Sequence, residues 1–234
     1  MKDAKIPISE IFSSIQGEGM FAGVPSLFIR TSGCPLRCWW CDTPYTSWKP
    51  EMKQQTLEEI ASVIALTPAR HVVITGGEPM LHPKEVGWLT DFAHSLNKPV
   101  TIETNGTIHE TCVKPTLWSV SPKLKSSTPD ATQFPNEAAL HKRKMKEADL
   151  DLFQKSAPNC QIKFVVTHAD DLLEIEQMVA MHHVKHSNVW LMPEGRTAQE
   201  VVERSKNVME LAIQHGFNFS SRLHTIAWGQ KRGV

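Results

Sequence analysis

Three cysteines fall within eight residues, Cys34-Pro-Leu-Arg-Cys38-Trp-Trp-Cys41. Any fold open to this chain must curl that segment so that the thiols converge. The C-x3-C-x2-C spacing suits thiolate ligation of a soft metal centre. Three sulfurs this close can wrap a cubane iron–sulfur cluster, and the fourth iron then stays open to bind and reduce a ligand. A closed structural zinc site wants a fourth Cys or His nearby. The nearest His is His71, so a zinc site would need a distant ligand. Five cysteines in 234 residues do not make a disulfide framework.

Lys plus Arg and Asp plus Glu are 25 each, giving a net charge of zero. That balance argues against nucleic acid held by general electrostatics. No apolar run reaches the roughly 18 residues that span a bilayer. The N-terminus, Met1-Lys2-Asp3-Ala4, lacks the apolar stretch of a signal peptide. A cytoplasmic protein with no membrane partner is expected.

The periodicity predicts strands at Val24–Arg30, His71–Thr75, Pro99–Glu103, Leu117–Val120, Cys160–Val166 and Asn188–Met192, with Phe217–Leu223 closing the set. Helices are predicted at Leu57–Leu66, Val86–Leu96, Leu172–Met181 and Thr197–His215, the first with a Thr56/Glu59 capping box. Alternating strands and helices imply parallel βαβ units. About six of them make an α/β fold of the incomplete, open parallel barrel kind, in a single domain over residues 1–234. The stretch from Glu103 to Leu117 is too short for a full helical crossover. Residues 125–147 read as a polar surface insertion.

Ligands of parallel α/β folds gather at the carboxyl ends of the strands. The cysteine loop, Gly76-Gly77-Glu78-Pro79, Thr104-Asn105-Gly106, Ser121-Pro122-Lys123 and Pro193-Glu194-Gly195 all fall there. Paired glycines let backbone approach a ligand closely. Arg30 can meet a carboxylate with a bidentate fork. Gln16 and Glu18 offer donors and acceptors to a flat heterocycle. Cys112 and Cys160 are assigned to structure, and Trp39 and Trp40 to drying the cluster pocket.

The cysteine spacing resembles the radical S-adenosylmethionine superfamily. The resemblance implies a 4Fe–4S cluster on Cys34, Cys38 and Cys41, with S-adenosylmethionine chelating the open iron and cleaved to a 5′-deoxyadenosyl radical. It implies S-adenosylmethionine contacts from Trp40, Cys41, Asp42, Gly76, Gly77, Glu78, Ser121, Pro122 and Lys123. Met192, where some relatives carry Gln, leaves the contacts of the last strand open. Ile15-Gln16-Gly17-Glu18-Gly19, Gly23-Val24-Pro25, Arg30, Asp42-Thr43 and Arg222-Leu223-His224 narrow the match to the 7-carboxy-7-deazaguanine synthase family. That resemblance runs from Ile11 to the C-terminus. It implies ring contraction of 6-carboxy-5,6,7,8-tetrahydropterin with loss of ammonia, on the way to queuosine and other 7-deazapurines. It assigns Ile15, Gln16, Gly17, Glu18, Arg30, Thr75 and His224 to the pterin, with the Val234 carboxylate a weaker candidate. It assigns Mg²⁺ to Thr43, with Asp42 the rival on charge. An unidentified electron donor and a homodimer are the partners implied. A glycyl-radical activase would share the cysteine loop without needing Gln16, Glu18, Arg30 or Thr43.

Overall fold

Apolar side chains alternate with polar ones along most of the strands, and that alternation decides which face the helices cover. A computed structural model describes all 234 residues. In chain order the elements are β1 (Lys5–Ile15), β2 (Pro25–Thr31), β3 (Lys53–Thr56), α1 (Leu57–Leu66), β4 (His71–Gly76), α2 (Pro83–Ser95), β5 (Val100–Thr104) and β6 (Leu117–Val120). They continue with α3 (Pro135–Lys144), α4 (Leu150–Ser156), β7 (Asn159–Val166), α5 (Asp171–Met181), β8 (Val189–Pro193), α6 (Ala198–His215), β9 (Asn218–Phe219) and α7 (Leu223–Trp228). One nine-stranded sheet runs β3-β1-β2-β4-β5-β6-β7-β8-β9. Pairing from β2 to β9 is parallel, and β1 is antiparallel to both of its neighbours. The two ends do not pair, so the sheet curls into an open barrel.

Leu27, Ile29, Val72, Ile74, Ile102, Trp118, Ile162 and Phe164 join helix residues such as Ile60, Ile64, Val86 and Leu89 in one buried cluster. Their alternates Arg30, Thr75, Glu103, Ser119 and Lys163 line the cavity on the other face. Register aligns this polar row, with Arg30 beside Thr75, Glu103 beside Ser119, and Ser119 beside Gln161. At the lower end, Ser26 Oγ, both ring nitrogens of His71 and Thr101 Oγ1 form a buried chain at 2.7 and 2.8 Å. Burial lowers the His71 pKa to about 4.

Several details depart from the sequence reading, which also has no counterpart for β3, α4 and α7. Strand β1 has no counterpart there, because a bulge between Ile8 and Glu10 breaks its period. Ile6 and Ile8 face the core before it; Glu10, Phe12, Ser14 and Gln16 line the cavity after it. An extra residue flips the parity of everything downstream. The closing strand is shorter than Phe217–Leu223, since only Asn218 and Phe219 pair with β8. Arg222 then swings toward the cavity and α7 begins. Residues 125–147 are not wholly superficial either, because α3 buries Ala138 and His141. The α1 capping box forms as expected, with Glu59 N donating to Thr56 Oγ1 at 3.2 Å and Thr56 N to Glu59 Oε2 at 2.8 Å.

Candidate active site

A cavity opens at the carboxyl ends of the parallel strands, and Cys34, Cys38 and Cys41 all line it. The loop carrying them is held from behind. Arg37 Nη1 donates to Cys34 O and Leu36 O, both at 2.7 Å. Arg37 N donates to His141 Nδ1 at 3.0 Å, and His141 Nε2 lies 2.8 Å from Ser127 Oγ. Trp48 Nε1 donates to Cys38 O at 3.0 Å. From the β4 side, a Cβ on Gly77 would stand 2.0 Å from Gly33 O, so only glycine lets the two loops meet.

The thiols fit an iron–sulfur cluster. Burial pushes Cys34 and Cys38 up to about 12, so the thiolates need a cationic partner. Leu36 N donates to Cys34 Sγ at 3.4 Å, Asn105 Nδ2 lies 3.8 Å from the same sulfur, and Ser47 Oγ lies 3.5 Å from Cys41 Sγ. Such contacts tune cluster thiolates. No fourth cysteine lines the cavity, and its single histidine, His224, belongs to the charged floor. Nearby, the buried Trp40 Nε1–H and Ser14 Oγ have no protein partner, which leaves donors for a ligand. Lys123 Nζ donates to Ser121 Oγ at 2.7 Å and sits 5.5 Å from the Trp40 ring centroid.

The floor is a charge network. Lys163 Nζ lies 2.6 Å from Glu18 Oε2 and 3.6 Å from Glu103 Oε1. Glu103 also accepts from Gln16 Nε2 at 3.1 Å and Thr75 Oγ1 at 2.9 Å. Arg222 Nε donates to Glu18 Oε1 at 3.2 Å, and its terminal nitrogens hold Gly195 O and the Asp42 carboxylate. Burial alone would raise Glu18; Lys163 and Arg222 hold it far below the usual carboxylate range. Burial likewise drags Lys163 down, and Glu18 and Glu103 more than reverse it. Glu18 and Lys163 therefore stay ionised, within a fixed template of donors and acceptors. His224 Nε2, 3.9 Å from Glu18 Oε1, is lowered by burial.

Most residues singled out in the sequence meet in this cavity, including Ile15, Gln16, Glu18, Arg30, Trp40, Asp42, Thr43, Thr75, Gly76, Gly77, Ser121, Lys123, His224 and Val234. Gly17, Glu78 and Pro122 do not line it. Gly17 O accepts from Leu223 N at 3.0 Å, so Gly17 seats the α7 turn. Glu78 is turned inward, accepting from Met80 N at 2.9 Å and from Thr104 Oγ1 and Asn105 N at 2.8 Å, and burial raises it to about 7. Trp39 is 49% exposed and cannot dry the pocket, whereas Trp40 lines it. Cys112 is exposed and lies outside the cavity. Glu10, Tyr45, Glu103 and Lys163 were missed. Lys163 sits between the buried apolar Ile162 and Phe164 on a strand, and Glu103 follows the buried Ile102, which is the sequence signal that could have found them.

The Radical SAM superfamily model matches residues 28–157. The chain is 41% identical to the 7-carboxy-7-deazaguanine synthase of Rhodopirellula baltica, across 99% of this chain and 90% of that protein. It is 44% identical to the synthase of that name from Halobacterium salinarum, across 95% and 90%. A crystal structure of QueE from Escherichia coli superposes with a TM-score of 0.68 at 28% identity, covering 94% of this chain and 95% of that one.

Proposed function

Because the chain belongs to the radical SAM superfamily and, within it, to the 7-carboxy-7-deazaguanine synthase family, we propose that its cavity contracts the ring of 6-carboxy-5,6,7,8-tetrahydropterin to 7-carboxy-7-deazaguanine with loss of ammonia. The observation that carries this reading is one cavity lined by a three-thiol loop, an arginine and a buried charge network. The cluster and S-adenosylmethionine, when bound, would supply one-electron cleavage and radical hydrogen-abstraction chemistry.

The chain's own residues bind and orient. Cys34, Cys38 and Cys41 would hold the cluster and leave it open to S-adenosylmethionine. Gly76 and Gly77 present backbone to the methionyl amine, and Ser121 and Lys123 serve ribose and carboxylate. Glu78 acts from beneath, by fixing the backbone of Asn105 and Met80. Gln16, Glu18, Thr75, Glu103, Lys163 and His224 read the edge of the pterin, and Arg30 takes its carboxylate. Fixed charges need little reorganisation as the ring rearranges.

Mg²⁺ is assigned to Thr43, which would hold it as a hard oxygen ligand near the substrate. One finding favours Thr43 over Asp42: both line the cavity, but the Asp42 carboxylate is already engaged by Arg222. No helix is long and apolar enough to cross a membrane. A cytoplasmic location, a homodimer and an external one-electron donor complete the reading. The relatives do not favour an activase of partner proteins.

The test is anaerobic reconstitution followed by incubation with the carboxypterin and a reductant, with 7-carboxy-7-deazaguanine as the expected product. Arg30→Ala is expected to keep its cluster and S-adenosylmethionine cleavage and to lose pterin turnover. Full conversion by that variant refutes the substrate assignment.

A further inference from the structure

Arg30 does not stand alone. The bulge in β1 turns Glu10 onto the cavity face and makes it the direct cross-strand partner of Arg30. Glu10 Oε1 accepts from Arg30 Nε at 2.8 Å and from Tyr45 Oη at 2.7 Å. The Arg30 side chain makes no other hydrogen bond within the chain, and its two terminal nitrogens are uncommitted. Beyond Tyr45, the Arg232 guanidinium stacks 3.7 Å from the ring centroid and forks onto Glu51 at 3.0 and 2.9 Å. Its Nε lies 3.7 Å from Glu10 Oε2.

A guanidinium can grip a carboxylate side-on, through Nε and one terminal nitrogen, or end-on, through both terminal nitrogens. Glu10 already occupies Nε, which leaves the end-on fork. Tyr45 holds the Glu10 carboxylate in the orientation that does so, and Arg232 braces Tyr45 from the far side. We propose that Glu10 is a positioning residue that sets the site's preference for a carboxylated ligand, by fixing Arg30 so that only its terminal pair faces the cavity. This rests on the assignment of Arg30 to the substrate carboxylate.

The competing view gives the opposite sign. Glu10 is an anion beside the place where a second anion would bind. If it acted through charge alone, Glu10→Ala and Glu10→Gln would both tighten carboxylate binding. If it positions Arg30, Glu10→Ala weakens binding, and Glu10→Gln, which keeps an oxygen able to accept from Nε and Tyr45, restores most of it.

The experiment measures equilibrium binding of 6-carboxy-5,6,7,8-tetrahydropterin and of its 6-methyl counterpart to anaerobically reconstituted wild type, Glu10→Ala, Glu10→Gln, Tyr45→Phe and Arg30→Ala. Iron content and S-adenosylmethionine binding report on integrity. The expected result is a loss of about tenfold or more in affinity for the carboxylated ligand in Glu10→Ala. The methyl ligand is unaffected, Glu10→Gln stays within about threefold of wild type, and Tyr45→Phe is intermediate. Unchanged or tighter carboxylate binding in Glu10→Ala overturns the proposal. A parallel loss for both ligands also overturns it, since that reports general disruption. If Arg30→Ala loses carboxylate preference while Glu10→Ala keeps it, the substrate assignment stands and the positioning role falls. If Arg30→Ala keeps the preference, the assignment itself fails.

Discussion

At the rim of the cavity, Cys34, Cys38 and Cys41 come from one loop and Gly76 and Gly77 from another, whereas the charges of the floor arrive singly. Glu18 follows β1, Glu103 sits on β5, Lys163 on β7, and Arg222 precedes α7. The rim is thus assembled by local chain geometry, and the floor only once the sheet has its register. Damage at the rim removes a ligand and leaves the sheet standing. Damage at the floor strands buried charge and threatens the sheet itself.

The sharpest break of that contrast is Cys38→Ala. Iron–sulfur absorption near roughly 400 nm and all turnover are expected to vanish, while the far-ultraviolet dichroism of the sheet and helices persists. Retention of a full iron complement would show that the tripod is not the ligand set. Next comes Lys163→Met, which leaves Glu18 and Glu103 without the cation between them. A loss of about 3–5 kcal/mol in urea unfolding is expected, partly recovered when Glu18→Gln is added. A stability unchanged by the single substitution would mean the floor is not electrostatically coupled.

The lower lumen makes a pH-dependent prediction. The folded pKa of His71 is depressed to about 4. The unfolded chain, at about 6.5, therefore takes up the proton first as pH falls. This contribution to stability is complete above about pH 6.5 and disappears on descent to about pH 4, a change of about 3 kcal/mol. His71→Gln should flatten that part of the profile; an identical slope in the variant would place the acid sensitivity elsewhere. The smallest effect belongs to Cys112→Ser. Cys112 is exposed, so stability should move by less than about 0.5 kcal/mol with no change in iron content. A drop in bound iron would give that thiol a part in the centre.

The rim was legible because its residues are adjacent in the chain. Three cysteines in one loop and two glycines after a strand declare themselves without any knowledge of register. The parallel strands were legible for the same reason, as short apolar runs each followed by a turn. The floor was not, because Glu103 and Lys163 gain meaning only when β5 and β7 sit in one sheet with their odd-numbered positions inward. Glu10 was hidden further by the bulge, since strict alternation from Ile6 and Ile8 would have sent it into the core. Arg222 was visible as part of a motif, but its grip on Glu18, Asp42 and Gly195 joins three distant segments that no local pattern connects.

The helix α3 invites deletion by anyone seeking a minimal version of this domain, because it buries only Ala138 and His141 and ends in the basic run Lys142-Arg143-Lys144. Its one buried imidazole, His141, nevertheless props the turn that carries the first two cysteines. A trimmed chain would keep every sulfur and every strand and still lose the wall against which the ligand loop leans. Shortened scaffolds should therefore assemble less metal than their intact parent, with no change to any residue that touches it.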